Sequence, residues 1–122
     1  LCGPLDIQGL DAKDIRKSMP RFTAENYAAN FKLFAPYLEL AKEADCSPAQ
    51  LALAWLLHKA PHIIPIPGTT SVSHLHDDLG AAGVQLSSAL IAKLEALINQ
   101  ATVHGNRYNA QANSEVDTEQ FA

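Results

Sequence analysis

Five consecutive residues, Pro67-Gly68-Thr69-Thr70-Ser71, have the composition of an anion cradle. Gly68 lets a ligand come close to the backbone, and the three hydroxyls supply neutral donors. Ser71 or Ser73 then caps a short helix carrying Val72, Leu75 and Leu79, which Gly80 and Gly83 can end. The first N–H groups of a helix lack internal partners and its start is partly positive, so a phosphate is stabilised there. The same serine and threonines also serve as plain helix caps, and spacing alone leaves both readings open. No Gly-Lys-Ser/Thr follows, so this is not a Walker A loop, and it is not a GxGxxG turn.

The remaining reactive groups are dispersed. His58 and His62 are four apart but separated by Pro61; His74 and His76, two apart, point to different faces of a helix. Pro61 takes His62 off the helix that holds His58, so neither pair reads as a metal site. Cys46, just before a helix start, reads as a small packing residue, and Cys2 has no activating neighbour in sequence.

Positioning the cradle is the task of the flanking elements. Ile63 to Ile66 is the one strand-like run, with Pro65 and Pro67 removing ladder donors. A lone strand cannot satisfy its backbone groups and needs partners. Ser47-Pro48-Ala49-Gln50 is a capping box with proline at the first helical position; the helix it opens is apolar all round through Leu57, which predicts burial on several sides. From Glu25 a second helical period places Tyr27, Phe31, Phe34, Leu38 and Ala41 on one face, a core stripe that Pro36 kinks or splits near Phe34. Ser87 opens the last helix, with Leu90, Leu94, Leu97, Ile98 and Ala101 apolar. Residues 1–23 read as a long loop with one helical turn near Asp11 to Lys17. Residues 102–122 read as a polar tail or covering segment, for which Tyr108 or Phe121 are the only local anchors on offer. The expectation is four helices and one strand.

Composition sets the outer bounds. The chain has 122 residues, 48% hydrophobic and 18% charged, enough for one modest core. A formal net charge of −4 argues against a broad basic nucleic-acid surface. Two cysteines exclude a disulfide scaffold and favour a reducing, cytoplasmic setting. The apolar runs are broken by His, Lys or Pro before they reach membrane-span length, so no membrane partner is expected, and Leu1 onward does not read as a secretory leader.

The order of motifs closely resembles the C-terminal part of the aldo-keto reductases. It runs Ser47-Pro48-Ala49-Gln50-Leu51-Ala52-Leu53-Ala54-Trp55-Leu56-Leu57, then Ile64-Pro65-Ile66-Pro67-Gly68-Thr69, then Leu75-x-x-Asp78-Leu79, then Leu86-Ser87. Leu1-Cys2-Gly3 looks like the end of that family's "GxLTG" segment, and Met19-Pro20-Arg21-Phe22 resembles its "PRF". The resemblance covers Leu1 to about Ala101. It implies an α/β fold, the C-terminal part of a (β/α)8 barrel of about 250 residues, of which this chain is roughly the last third. Residues 1–23 would be an active-site-side loop, Ile63 to Ile66 the eighth strand, and 102–122 the C-terminal tail. It further implies an oxidoreductase that uses NADPH, with NADH possible, to reduce a small-molecule aldehyde or ketone.

The family's catalytic Asp, Tyr, Lys and His match no residue of this chain, which alone is expected to be inactive. Its cofactor loop does fall here. Gly68, Thr69, Thr70 and Ser71 match the segment around the adenosine 2′-phosphate. His74, Asp77 and Asp78 match positions usually Arg, Glu and Asn. These are departures. Histidine lacks the arginine fork and is charged over only part of the pH range, and aspartate lacks the asparagine donor. Arg21 is a further cation that could reach the phosphates from the long loop. The rival reading is a small helical interaction domain that docks a partner through its apolar faces.

Overall fold

Local capping chemistry sets where most of the α-helices begin in the computed structural model, which describes Gly3 and residues 5–117. Thr23 caps α1 (Ala24–Phe31) by accepting from the Asn26 N–H. The chain breaks over Lys32 and Leu33 and restarts as α2 (Phe34–Glu43). Pro36 falls in the first turn of α2, where its missing N–H leaves no helical bond unmade, so the period splits near Phe34 as expected. Asp45 then adopts φ 51°, and the Cys46 N–H turns back to the Ala41 carbonyl.

The capping box at α3 (Pro48–Lys59) forms in full. Ser47 Oγ accepts from the Gln50 N–H, and Gln50 Oε1 accepts from the Ser47 N–H, both at 3.1 Å. Ser71 caps α4 (Val72–Gly80) and Ser87 caps α5 (Ser88–Leu97). A 3-10 turn, Ala81–Gly83, follows Gly80. A short α6 (Ala110–Asn113) is capped by Asn109.

The chain divides into two units. The first takes in Pro36–Ala96 and holds every buried apolar side chain among the described residues. Tyr37 and Ala41 of α2, Leu51 and Ala54 of α3, Ala81, and Leu90 and Leu94 of α5 form this core. The Tyr37 hydroxyl donates to the Pro48 carbonyl at 2.7 Å, so burying the phenol strands no polar group. α3 packs against α4 and the Ala81–Gly83 turn. The ion pairs Lys93–Glu43 and Lys59–Glu95 lie on the surface and contribute little.

The second unit, Gly3–Ala35 with the described residues from Leu97, has no buried side chain among them. Rings stack in sequence from Phe22 to Tyr27, Phe31 and Phe34, with centroids 5.7 to 6.5 Å apart. The Tyr27 hydroxyl accepts from the Leu5 N–H at 2.8 Å and donates to the Leu5 carbonyl at 3.0 Å. Asp14 caps the 3-10 helix Ile15–Ser18 and holds Arg16 through two side-chain bonds. A second 3-10 helix spans Pro20–Phe22.

Several expectations need correction. No strand forms among the described residues. Ile63 to Ile66 is extended, but Ile64 and Ile66 are 82% and 92% exposed while Ile63 and Pro65 are half-buried. The alternation of a strand is present without a ladder, because the described residues supply no second strand to pair with it. The Tyr27-to-Ala41 stripe is core only at Ala41; the rings mainly cover one another, and Tyr37 takes the buried place in α2. α3 buries only Leu51 and Ala54 fully, and Leu57 is exposed. α5 ends at Leu97, where the Thr102 hydroxyl accepts from the Asn99 N–H and donates to the Leu97 carbonyl. In the segment after α5, Asn30 bonds the His104 backbone and Arg21 bonds the Gly105 carbonyl. Cys2 and Phe121 lie outside the described residues.

Candidate cofactor pocket

The turn from Pro67 to Ser71 is built by its own hydroxyls. Thr69 Oγ1 accepts from the Ser71 N–H at 3.1 Å. Ser71 Oγ accepts from the His74 N–H at 3.4 Å and lies 3.2 Å from Ser73 Oγ. Capping is therefore a real part of what these residues do. Gly68 stands apart from that network: a Cβ built on it would meet nothing within 4 Å. Its backbone faces open space, which leaves it approachable.

Beside this turn the first unit contains a cavity of about 480 Å³. One wall is apolar, from Pro48, Ala49, Ala52 and Leu53 of α3. The lining also takes in Gly68 and Thr69 from the turn, and His74 and Asp78 from α4. The small side chains of Ala49 and Ala52 leave the space that a larger residue would fill. A lining that combines apolar side chains with a hydroxyl, an imidazole and a carboxylate suits a flat heteroaromatic ring attached to an anionic group.

His74 and Asp78 are four apart on α4 and share a face, which is why they meet at one cavity. Asp77 also borders it, and its carboxylate is engaged by Ser47, another residue of the lining. Asp77 Oδ2 accepts from Ser47 Oγ at 2.8 Å, and the Asp77 carbonyl accepts from Gln50 Nε2 at 3.0 Å. The acid thus sits at the start of α3, where the helix dipole favours it, and ties α4 to α3. Cys46 lies under this junction. Burial foremost, then the charges of Asp45 and Asp77, push its thiol above the ordinary cysteine range, in keeping with a packing residue.

Gly68, Thr69, His74, Asp77 and Asp78 are thus brought to one cavity. Ser71 acts as the α4 cap, and Thr70 is an exposed residue of the turn. Arg21 belongs to the other unit, where its Nε–H donates to the Gly105 carbonyl at 3.3 Å. Sequence reasoning missed the α3 wall and the Ser47–Asp77 bond. The available signal was α3 itself, apolar on more faces than its neighbours cover, with alanines at two of the wall positions. Among the described residues, no three His, Cys, Asp or Glu side chains cluster as metal ligands, and no helix is long and apolar enough to cross a membrane.

Residues 3–99 match the family described as "Aldo/keto reductase family". A curated relative from Schizosaccharomyces pombe, "Aldo-keto reductase yakc [NADP(+)]", is 37% identical over 103 residues. The alignment takes in 84% of this chain and 30% of that relative, so the chain spans less than a third of the relative's length.

Proposed function

Because this chain belongs to the aldo/keto reductase family, we propose that it contributes the adenosine-binding end of the cofactor site to an enzyme reducing aldehydes or ketones with NADPH. The observation that carries this reading is the cavity lined by α3 and α4, which gathers Gly68, Thr69, His74 and Asp78 with the apolar Pro48, Ala49, Ala52 and Leu53. The name of the yeast relative supports NADP as the dinucleotide. We propose further that residues 1–122 are the C-terminal part of a (β/α)8 barrel, with 1–23 an active-site-side loop. The exposed Ile64, Ile66, Val72 and Leu79 are surfaces that neighbouring barrel elements would cover.

The residues fit the cofactor's adenosine end. Ala49, Ala52 and Leu53 would flank the adenine ring, and Asp78 would accept from its amino group. Gly68, Thr69 and the first N–H groups of α4 would receive the 2′-phosphate. No Lys or Arg occurs between Ala60 and Ala92, and His74 is the one basic side chain in the cavity lining. The dinucleotide, when bound, supplies hydride to the carbonyl carbon. The part of this chain is to hold and orient the distant end of that cofactor; its catalytic groups match no residue here.

The test is carbonyl-dependent oxidation of NADPH and NADH by the full-length protein and its Ala52→Trp variant. Turnover of an aldehyde or ketone is expected. The tryptophan should fill the cavity and raise KM for NADPH by about tenfold or more, with kcat at saturating cofactor little changed. Absence of carbonyl-dependent oxidation with either cofactor would overturn the proposal.

A further inference from the structure

Asn30 makes a pairing usually made by a strand. Its Nδ2 donates to the His104 carbonyl at 2.9 Å, and its Oδ1 accepts from the His104 N–H at 2.8 Å. One side-chain amide thereby satisfies both backbone groups of a residue 74 positions away. The next residue, Gly105, has φ 82°, a conformation that side-chain-bearing residues rarely adopt. It also sits close against α1 and the loop before it. A Cβ there would lie 2.6 Å from Asn26 Nδ2 and 3.0 Å from the Pro20 carbonyl carbon and oxygen.

The Pro20 carbonyl beneath Gly105 accepts from the Thr23 N–H at 3.2 Å and from Asn26 Nδ2 at 2.9 Å. These bonds close the 3-10 helix Pro20–Phe22 and lead into α1. Arg21, within that turn, donates to the Gly105 carbonyl. The segment after α5 is itself held at its root by Thr102, which bonds Asn99 and Leu97. The second unit has no buried apolar core, so these directional bonds carry its order.

We propose that residues 102–105 are a latch that keeps the Pro20–Thr23 turn closed. Gly105 shields the Pro20 carbonyl from water, which would otherwise compete with Thr23 and Asn26 for it. Asn30 holds Gly105 in place through its neighbour His104. Release of the Asn30–His104 pair opens the turn, so the latch and the turn gain or lose order together. A ligand or chain segment that competes for the Asn30 amide would free both. The inference is independent of which dinucleotide the cavity takes, because its test reads backbone opening and not cofactor binding.

The experiment is amide hydrogen exchange on the full-length protein, wild type against Asn30→Asp and Gly105→Ala. Asn30→Asp keeps an acceptor for the His104 N–H but sets a carboxylate oxygen against the His104 carbonyl. Gly105→Ala forces a Cβ into the occupied space. In both variants the Thr23 and His104 amides should exchange faster by about tenfold or more, with α3 amides unchanged. Faster exchange at His104 alone would overturn the coupling, as would no change at either amide. Equal acceleration of α3 would also overturn it, because the turn would then be following global unfolding.

Discussion

Pro36–Ala96 is stabilised by burial, whereas Gly3–Ala35 and the described residues after Ala96 are stabilised by directional bonds. In the first unit Tyr37 of α2, Leu51 of α3 and Leu90 and Leu94 of α5 are buried, and the candidate cavity takes its apolar lining from α3. In the second, stacked rings and hydrogen bonds from Tyr27, Asn26 and Asn30 do the work that apolar packing does in the first. Burial is non-directional and resists local change, so it suits the wall of a binding site. Hydrogen bonds are individually modest and reversible, so they suit loops whose order is conditional.

The largest test of this difference is Leu51→Ala. Leu51 is 0% exposed, and truncation should cost about 2–5 kcal/mol of unfolding free energy in the full-length protein. Denaturant unfolding reads this directly, and a loss under about 1 kcal/mol would remove Leu51 from the centre of the core. Ser47→Ala comes next, at about 1–2 kcal/mol, because it removes the α3 cap and the donor to Asp77 together. If Ser47→Ala costs no more than an exposed serine, the Ser47–Asp77 tie does not hold α4 to α3.

His74→Arg tests the pocket without disturbing either unit. A guanidinium presents a planar fork that bonds a phosphate through two N–H groups, which an imidazole lacks. The arginine variant should bind the 2′-phosphorylated cofactor tighter by about 1 kcal/mol and bind the non-phosphorylated cofactor unchanged. Identical cofactor ratios in variant and wild type would place His74 away from the phosphate.

The smallest effect lies in the second unit. Asp14 drops from the ordinary 3.8 to about 2, chiefly because its side chain bonds the Arg16 guanidinium and then the Arg16 N–H. A depressed folded value means the contribution is complete above about pH 4 and is lost as pH falls through about 2. Protection of the Lys17 amide, which bonds the Asp14 carbonyl, should fade over that window and lose the dependence in Asp14→Asn. A pH-independent amide would remove the Asp14–Arg16 bond from the account of this cap.

What the sequence made legible was chemistry settled within a few residues. The Ser47–Gln50 box, the Ser71 and Ser87 caps and the split at Pro36 each depend on neighbours three or four positions away. Ile63 to Ile66 was legible as a strand pattern, but a ladder needs partners that no local pattern supplies. The tether of His104 to Asn30 spans 74 positions and that of Gly105 to Arg21 spans 84. Amide and guanidinium bonds leave no periodic trace, so the polar segment after Thr102 gave no sign of its anchors. At the cavity, Gly68 and Thr69 were legible from the composition of the turn, while Ser71 serves as the α4 cap. Asp77 was placed at the cavity but not with Ser47, because a hydroxyl–carboxylate bond between two helices has no sequence signature.

The central claim is that the cavity between α3 and α4 receives the adenosine end of a phosphorylated dinucleotide. Its most direct test is an NMR titration of the full-length protein with adenosine 2′,5′-bisphosphate, which carries the adenine and the 2′-phosphate without the nicotinamide. Saturable amide shifts should appear at Gly68, Thr69, His74 and Asp78 and along Ala49 to Leu53, and Ala52→Trp should abolish them. Saturable binding that leaves those amides unmoved, or that survives Ala52→Trp unchanged, would contradict the claim.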